Sequence, residues 1–197
     1  ELFQAGGTLA MEAGLPYGKF LQKKYGFDRL KRISYDGGIA NFLADKNFMQ
    51  QCFVFSEPLA AKKAGADPQT FLIADAGYNP YTGVIITREA FIKSNREQVV
   101  AMVQALREGW KDYLNDPKPA NEAMGKINKA MDAETFAAAA EAQKPLVDPS
   151  GQQAKPPVLG TMTFDRWKTL VDQLVDLKVI NKPVQPEQCF IELAPQK

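Results

Sequence analysis

The sequence predicts an α/β fold built on a mainly parallel sheet, and two observations carry that prediction. Short apolar runs alternate with helical patterns over the first 90 residues. Each of the first three helical patterns then closes on Gly26, Asn47 or Gly65, the residue types that end helices. Strand, helix, strand in this rhythm implies right-handed crossovers and parallel neighbours.

In chain order the expected strands are Thr8–Met11, Arg32–Tyr35, Cys52–Phe55, Phe71–Ala74 and Val84–Thr87. Between them the expected helices cover Tyr17–Tyr25, Ile39–Lys46 and Leu59–Ala64. From Arg96 to Leu114 one apolar face recurs at helical spacing, through Val99, Met102, Val103, Leu106, Trp110 and Tyr113. Ser94 and Glu97 have the spacing of a capping box for its start. A further helix is expected from Asp132, with Met131 and Phe136 spaced as a hydrophobic staple. Another is expected over Thr163–Lys178, with Phe164, Trp167, Leu170, Val171, Leu174 and Val175 on its apolar face. The Pro- and Gly-rich stretch Lys144–Thr161 has no period and reads as an extended connector.

Composition excludes several functions. Of 197 residues, 24 are Lys or Arg and 23 are Asp or Glu, a net charge of +1, so nothing marks a nucleic-acid partner. There is no His, which removes Ser-His-Asp and Cys-His nucleophile systems and His-ligated metals from this chain. No apolar run approaches the roughly 18 residues of a membrane span. Cys52 and Cys189 are too few for a metal cluster, and Cys52, in an apolar run, is expected to be a small buried hydrophobe. The broad helical faces after Arg96 have almost no strand to cover. With the start at Glu1, directly before a strand, this predicts that the chain is the C-terminal part of a larger protein.

Ligands of open α/β sheets bind beyond the carboxyl ends of the strands. The loops expected there carry Glu12, Asp36, Glu57 and Asp75 together with Tyr17, Tyr35, Tyr78 and Tyr81, and no Lys or Arg. Each residue singly has an ordinary structural use. Asp36 and Ser56 suit helix N-caps, Glu57 a first helical turn, and Gly37-Gly38 a tight turn or a close backbone approach to ligand. As a set, aromatic walls and carboxylate acceptors suit a neutral or cationic, nitrogen-rich planar ligand better than a sulfonate or nitrate.

The run Tyr17-Gly18-Lys19-Phe20-Leu21-Gln22-Lys23-Lys24-Tyr25-Gly26 is similar to one in periplasmic substrate-binding proteins of ABC importers. These form the nitrate, sulfonate, taurine and thiamine-pyrimidine-synthase-like superfamily. Tyr35-Asp36-Gly37-Gly38-Ile39-Ala40-Asn41, Ser56-Glu57-Pro58 and Gly77-Tyr78-Asn79-Pro80-Tyr81 extend the resemblance, as does Gly109-Trp110. It implies a type II periplasmic-binding-protein-like fold, with two α/β lobes that clamp ligand between them. On that pattern residues 7–82 are the second lobe. Residues 83–197 are the crossover strand and the helical C-terminal part of the first lobe, whose N-terminal sheet is absent from the chain.

By position, the resemblance implies ligand contacts at Glu57 first, then Asp36, Gly37 and Gly38, then Tyr17 and Asn79, with Ser56 and Tyr81 in the same motifs. It implies binding without chemistry: no catalytic residue, metal or cofactor. The expected partners are a small planar heterocycle, of pyrimidine or flavin-precursor type, and a membrane permease. The expected location is periplasmic, or lipid-anchored outside the cytoplasm. Two alternatives stay open: a pyrimidine-biosynthesis enzyme of the same fold, and an importer protein for sulfonate- or nitrate-type anions. The eukaryotic synthase relies on a His and a Cys-rich motif, and neither occurs here. Self-association of incomplete chains through exposed helix faces is a further open outcome.

Overall fold

A computed structural model describes residues 2–148 and 159–193. The elements run α1 (Leu2–Ala5), β1 (Gly7–Ala10), α2 (Pro16–Tyr25), β2 (Leu30–Ile33), α3 (Ala40–Ala44), β3 (Phe48–Gln50) and α4 (Glu57–Lys63). Then follow α5 (Glu89–Ser94), α6 (Arg96–Asn115), α7 (Lys118–Ile127), α8 (Ala133–Val147) and α9 (Phe164–Asp176), with a short 3₁₀ turn at Pro186–Gln188. By contacts the chain divides into Glu1–Pro80 with Phe164–Pro186, and Tyr81–Thr163 with Glu187–Lys197. In this division α9 groups with the α/β unit.

In the α/β unit three parallel strands lie in the order β2-β1-β3. Gly7 pairs with Leu30 on one side, and Thr8 with Phe48 on the other. The central position of β1 follows from burial: Leu9 and Ala10 are buried, and Leu9 joins Met11 and Phe27 in the core. Tyr17, Leu21, Leu30 and Met49 pack around it. Pro16 opens α2, where its missing N–H costs nothing. Gly26 closes it, donating its N–H to the Gln22 carbonyl at 2.9 Å. The far end of α9 is tied to the same unit by Gln173 Nε2 donating to the Gly77 carbonyl (2.8 Å) and by the Lys23–Asp176 ion pair (2.5 Å).

Two expected strands are displaced and two do not form. The backbone N–H of Asn47 donates to Asp45 Oδ1 (2.8 Å), which turns the chain straight out of α3 into β3 at Phe48. The paired depth is used up by Gln50, so Cys52–Phe55 becomes a turn with Phe53 56% exposed. Similarly, a turn from Phe27 to Leu30 starts β2 two residues before Arg32. Over Phe71–Ala74 successive turns replace the strand, with Asp75, Ala76 and Gly77 N–H groups donating to Leu72, Ile73 and Ala74. Val84–Thr87 lies outside any strand, and Ile86 is 86% exposed. An apolar run becomes a strand only where a neighbour accepts its backbone groups.

The second unit is helical. Val100 of α6 and Phe136, Ala139 and Ala140 of α8 are buried. Gly125 of α7 lies beside the Phe136 ring, and Tyr113 donates to Asn121 Oδ1 at 3.0 Å. At the expected start of α8, Asp132 Oδ1 accepts from Thr135 N (2.9 Å) and Thr135 Oγ1 (2.6 Å). The Ser94–Glu97 capping box does not form, because Ser94 ends α5. Asn95 stands between the two helices and donates its side-chain amide back to the Phe91 carbonyl at 3.2 Å. Helices α1, α5 and α7 were not expected. The first part of the expected connector is helical, since α8 continues through Pro145 to Val147. Residues 149–158 of that connector lie outside the described residues. No described helix is long and apolar enough to cross a membrane.

Candidate functional site

Parallel strands send their carboxyl ends to one edge, so the loops after β1, β2 and β3 meet there. They are residues 11–15, 34–39 and 51–56, and they contain no Lys or Arg. Because β1 is central, the loops of β2 and β3 flank its own.

Glu57, the first residue of α4, joins two of these loops. Its Oε1 accepts from the Tyr35 hydroxyl after β2, and its Oε2 accepts from the Phe53 N–H (2.9 Å) after β3. A carboxylate takes up to about four hydrogen bonds, so acceptor capacity remains on both oxygens. Ser56 precedes it as N-cap, yet its side chain makes no capping bond. Burial, and then the bond to Glu57, push the Tyr35 phenol well above its ordinary range, so it stays a proton donor. Beside them Cys52 is exposed, not the buried hydrophobe expected from its apolar neighbours. Those neighbours form a turn rather than a strand, which leaves the thiol outside the core.

Asp36 does not cap α3, whose N-cap is Ile39. Its Oδ1 accepts from the Gly38 N–H at 2.9 Å, closing a tight turn over Gly37. Gly37 has φ +82°, a conformation other residues adopt at a cost, while a Cβ there would meet nothing within 4 Å. The glycine is thus explained by backbone conformation without any close approach. Gln50 Nε2 donates to the Gly38 carbonyl at 3.0 Å and ties this turn to the end of β3.

Tyr17 packs on the core with its ring and donates its hydroxyl to Gln51 Oε1, which also accepts the Glu12 N–H at 2.7 Å. Burial first, then the Glu12 charge, raises its pKa from 10.0 to about 12. A phenol pKa raised by folding adds stability that is complete below pH 10 and is lost as pH climbs through about 12. The urea midpoint of the wild type is therefore expected to fall more steeply between these values than that of Tyr17→Phe. Parallel curves would contradict it.

Gln50 and Gln51 were not singled out from sequence. Placing the strand at Cys52–Phe55 hid them; with β3 ending at Gln50, they stand at its carboxyl end.

The fourth expected loop differs. With no strand at Phe71–Ala74, nothing in the sheet carries Asp75–Pro80 to its edge. Tyr78 is buried, its ring 5.3 Å from Phe20, and acts in packing. Asn79 is held by α9: Arg166 donates to its carbonyl (2.8 Å), to its Oδ1 (2.7 Å) and to the Pro80 carbonyl (2.8 Å). Tyr81 belongs to the helical unit, where its hydroxyl accepts the Thr163 N–H at 2.8 Å. Arg166→Ala is expected to lower stability by about 2 kcal/mol, because charged hydrogen bonds are the stronger kind. Amide exchange at Gly77–Asn79 should quicken with it. Unchanged exchange would show that α9 does not hold this loop.

An open hollow of about 460 Å³ lies elsewhere in this unit, lined by Phe20, Lys23, Lys24, Ala76, Gly77 and Asp176. Its charged groups already engage protein partners: Lys23 pairs with Asp176, and Lys24 donates to the Ala76 carbonyl. Among the described residues no group of three or more carboxylates or thiols is placed to hold a metal ion.

A small parallel sheet covered by helices places the chain in the α/β class. It is a partial periplasmic-binding-protein-like fold. The chain belongs to the NMT1/THI5-like family, whose model matches residues 22–120, half its length. The matched stretch includes Asp36, Gly37, Gly38, Ser56, Glu57, Asn79 and Tyr81, and starts after Tyr17. The family contains both solute-binding proteins and synthases. No curated protein matches the chain.

Proposed function

We propose that the chain is the solute-binding component of an ABC importer. It holds a small planar heterocycle, of pyrimidine or flavin-precursor type, at the carboxyl edge of its sheet. The observation that carries this reading is the chemistry of that edge. Glu57, Asp36 and Glu12 supply acceptors there, and the three loops hold no Lys or Arg. Ligand N–H groups meet acceptors, whereas a sulfonate or nitrate meets carboxylates without a compensating cation. Family membership supports a small-molecule ligand and, for a binding protein, a membrane permease as partner; the location proposed with that role is extracytoplasmic. Asp36, Gly37, Gly38, Tyr17, Ser56 and Glu57 are the proposed contacts.

Thermal unfolding against 4-amino-2-methylpyrimidine, lumazine, taurine and nitrate tests this reading. A heterocycle at one hundred times its Kd should stabilise by about 2.7 kcal/mol, a rise of roughly 5–10 °C for a chain this size. Stabilisation by the anions alone would overturn it. Recovery of the heterocycle unchanged after incubation is expected of a binder. Conversion to a product would assign the chain to the synthases.

A further inference from the structure

Gln51 follows β3 directly, and its side-chain amide is held from two sides. Its Oε1 accepts the Glu12 backbone N–H at 2.7 Å and the Tyr17 hydroxyl. A backbone N–H can only donate, so the amide has one orientation, with its oxygen toward Glu12 and its nitrogen turned away. Tyr17 lies in the first turn of α2 with its ring packed on the core, so its hydroxyl is fixed in place as well. The Nε2 group is what remains. Among the described residues nothing accepts from it, yet it is not an enclosed polar atom, so it reaches solvent beyond the end of β3. Gln50, by contrast, uses its amide on the Gly38 carbonyl (3.0 Å). The ionised carboxylates of Glu12, Asp36 and Glu57 can only accept.

We propose that Gln51 Nε2 is a specificity-determining donor that reads an acceptor atom of the ligand, a ring nitrogen or a ring carbonyl. This deepens the heterocycle reading above and rests on it. Carboxylates alone would favour any solute rich in N–H donors, and an alkylammonium ion most of all. A fixed donor among them adds a second requirement. An aminopyrimidine meets it with a ring nitrogen, whereas an alkylammonium ion has no acceptor to offer. A solute without one covers the amide and leaves it unpaired, the kind of mismatch that binding sites reject most strongly. Because Glu12 and Tyr17 already orient the amide, little ordering entropy is lost when the ligand arrives.

Calorimetric titration of wild type, Gln51→Glu and Gln51→Met with 4-amino-2-methylpyrimidine and with 3-methylaniline tests the proposal. The aniline keeps the ring, the methyl and the amino group, and replaces both ring nitrogens with C–H. Wild type should bind the pyrimidine about tenfold or more tightly than the aniline, the scale of one buried donor left unpaired. Gln51→Glu keeps an oxygen for Glu12 and Tyr17 and puts an acceptor where Nε2 stood. Its melting temperature should stay within about 3 °C of wild type, while its preference for the pyrimidine drops to about twofold or less. Gln51→Met lacks both ends of the amide, so it should lose the same preference and melt lower. A packing role alone would lower the melting temperature and leave the preference intact. No preference in wild type, or the wild-type preference in both variants, would overturn the proposal while leaving the heterocycle reading in place. A wild-type chain that does not bind the pyrimidine also overturns it, and if lumazine fails to bind as well, the heterocycle reading falls with it.

Discussion

Gly7→Ala is expected to lower stability by about 4 kcal/mol, combining backbone strain with overpacking against a neighbouring main chain. Gly7 has φ +131°, and a Cβ built there would stand 2.3 Å from the Asn47 carbonyl oxygen and 3.3 Å from Met49 Cε. That carbonyl accepts the Thr8 N–H at 3.3 Å, where β1 and β3 begin to pair. The oxygen is backbone and has no rotamer to swing away, so β1 must separate from β3 or shift its register. Against a total stability of about 5–15 kcal/mol the loss is large, and it corresponds to roughly 10 °C in melting temperature at this size. Urea unfolding with a matched Gly37→Ala control measures it. Gly37 also has positive φ but open space around it, so its variant should lose only about 1 kcal/mol. Equal losses at the two positions would show that the close approach to Asn47 contributes nothing.

Glu57→Ala is the second large effect, and it separates structure from recognition. Removing the carboxylate leaves the Tyr35 hydroxyl and the Phe53 N–H without their shared acceptor. Both lie on partly open loops where water can replace the acceptor, so the expected loss is about 2 kcal/mol. Glu57→Gln keeps an oxygen for one of the donors and should recover about half of that loss. Pyrimidine affinity should respond differently: both variants are expected to weaken it by about tenfold or more, because a charged acceptor is stronger than a neutral one. If both variants bind as wild type does, Glu57 only joins the loops.

The edge chemistry was legible in part because it depends on residue type more than on placement. Asp36, Glu57 and Tyr17 keep their expected edge after two strands shift, since each follows its strand into the next helix. Gln51 was not legible, as an amide beside an apolar run carries no signal until the end of β3 is known. The same shift moved Phe53 from an expected strand into an exposed turn. Asn79 and Arg166 illustrate the opposite limit. They are 87 positions apart, and no local pattern announces that α9 returns to hold a loop of the first unit.

By itself the sequence determined the α/β class, the helices with long apolar faces, and the absence of His. Periodicity and composition are local properties, and α2, α6, α8 and α9 appear close to where their spacing places them. Tertiary structure alone decided which apolar runs are strands. Phe48-Met49-Gln50 found a neighbour in β1, while Phe71–Ala74 and Val84–Thr87 found none. The physical reason is that a helix closes its hydrogen bonds within itself, whereas a strand needs a partner from elsewhere in the chain.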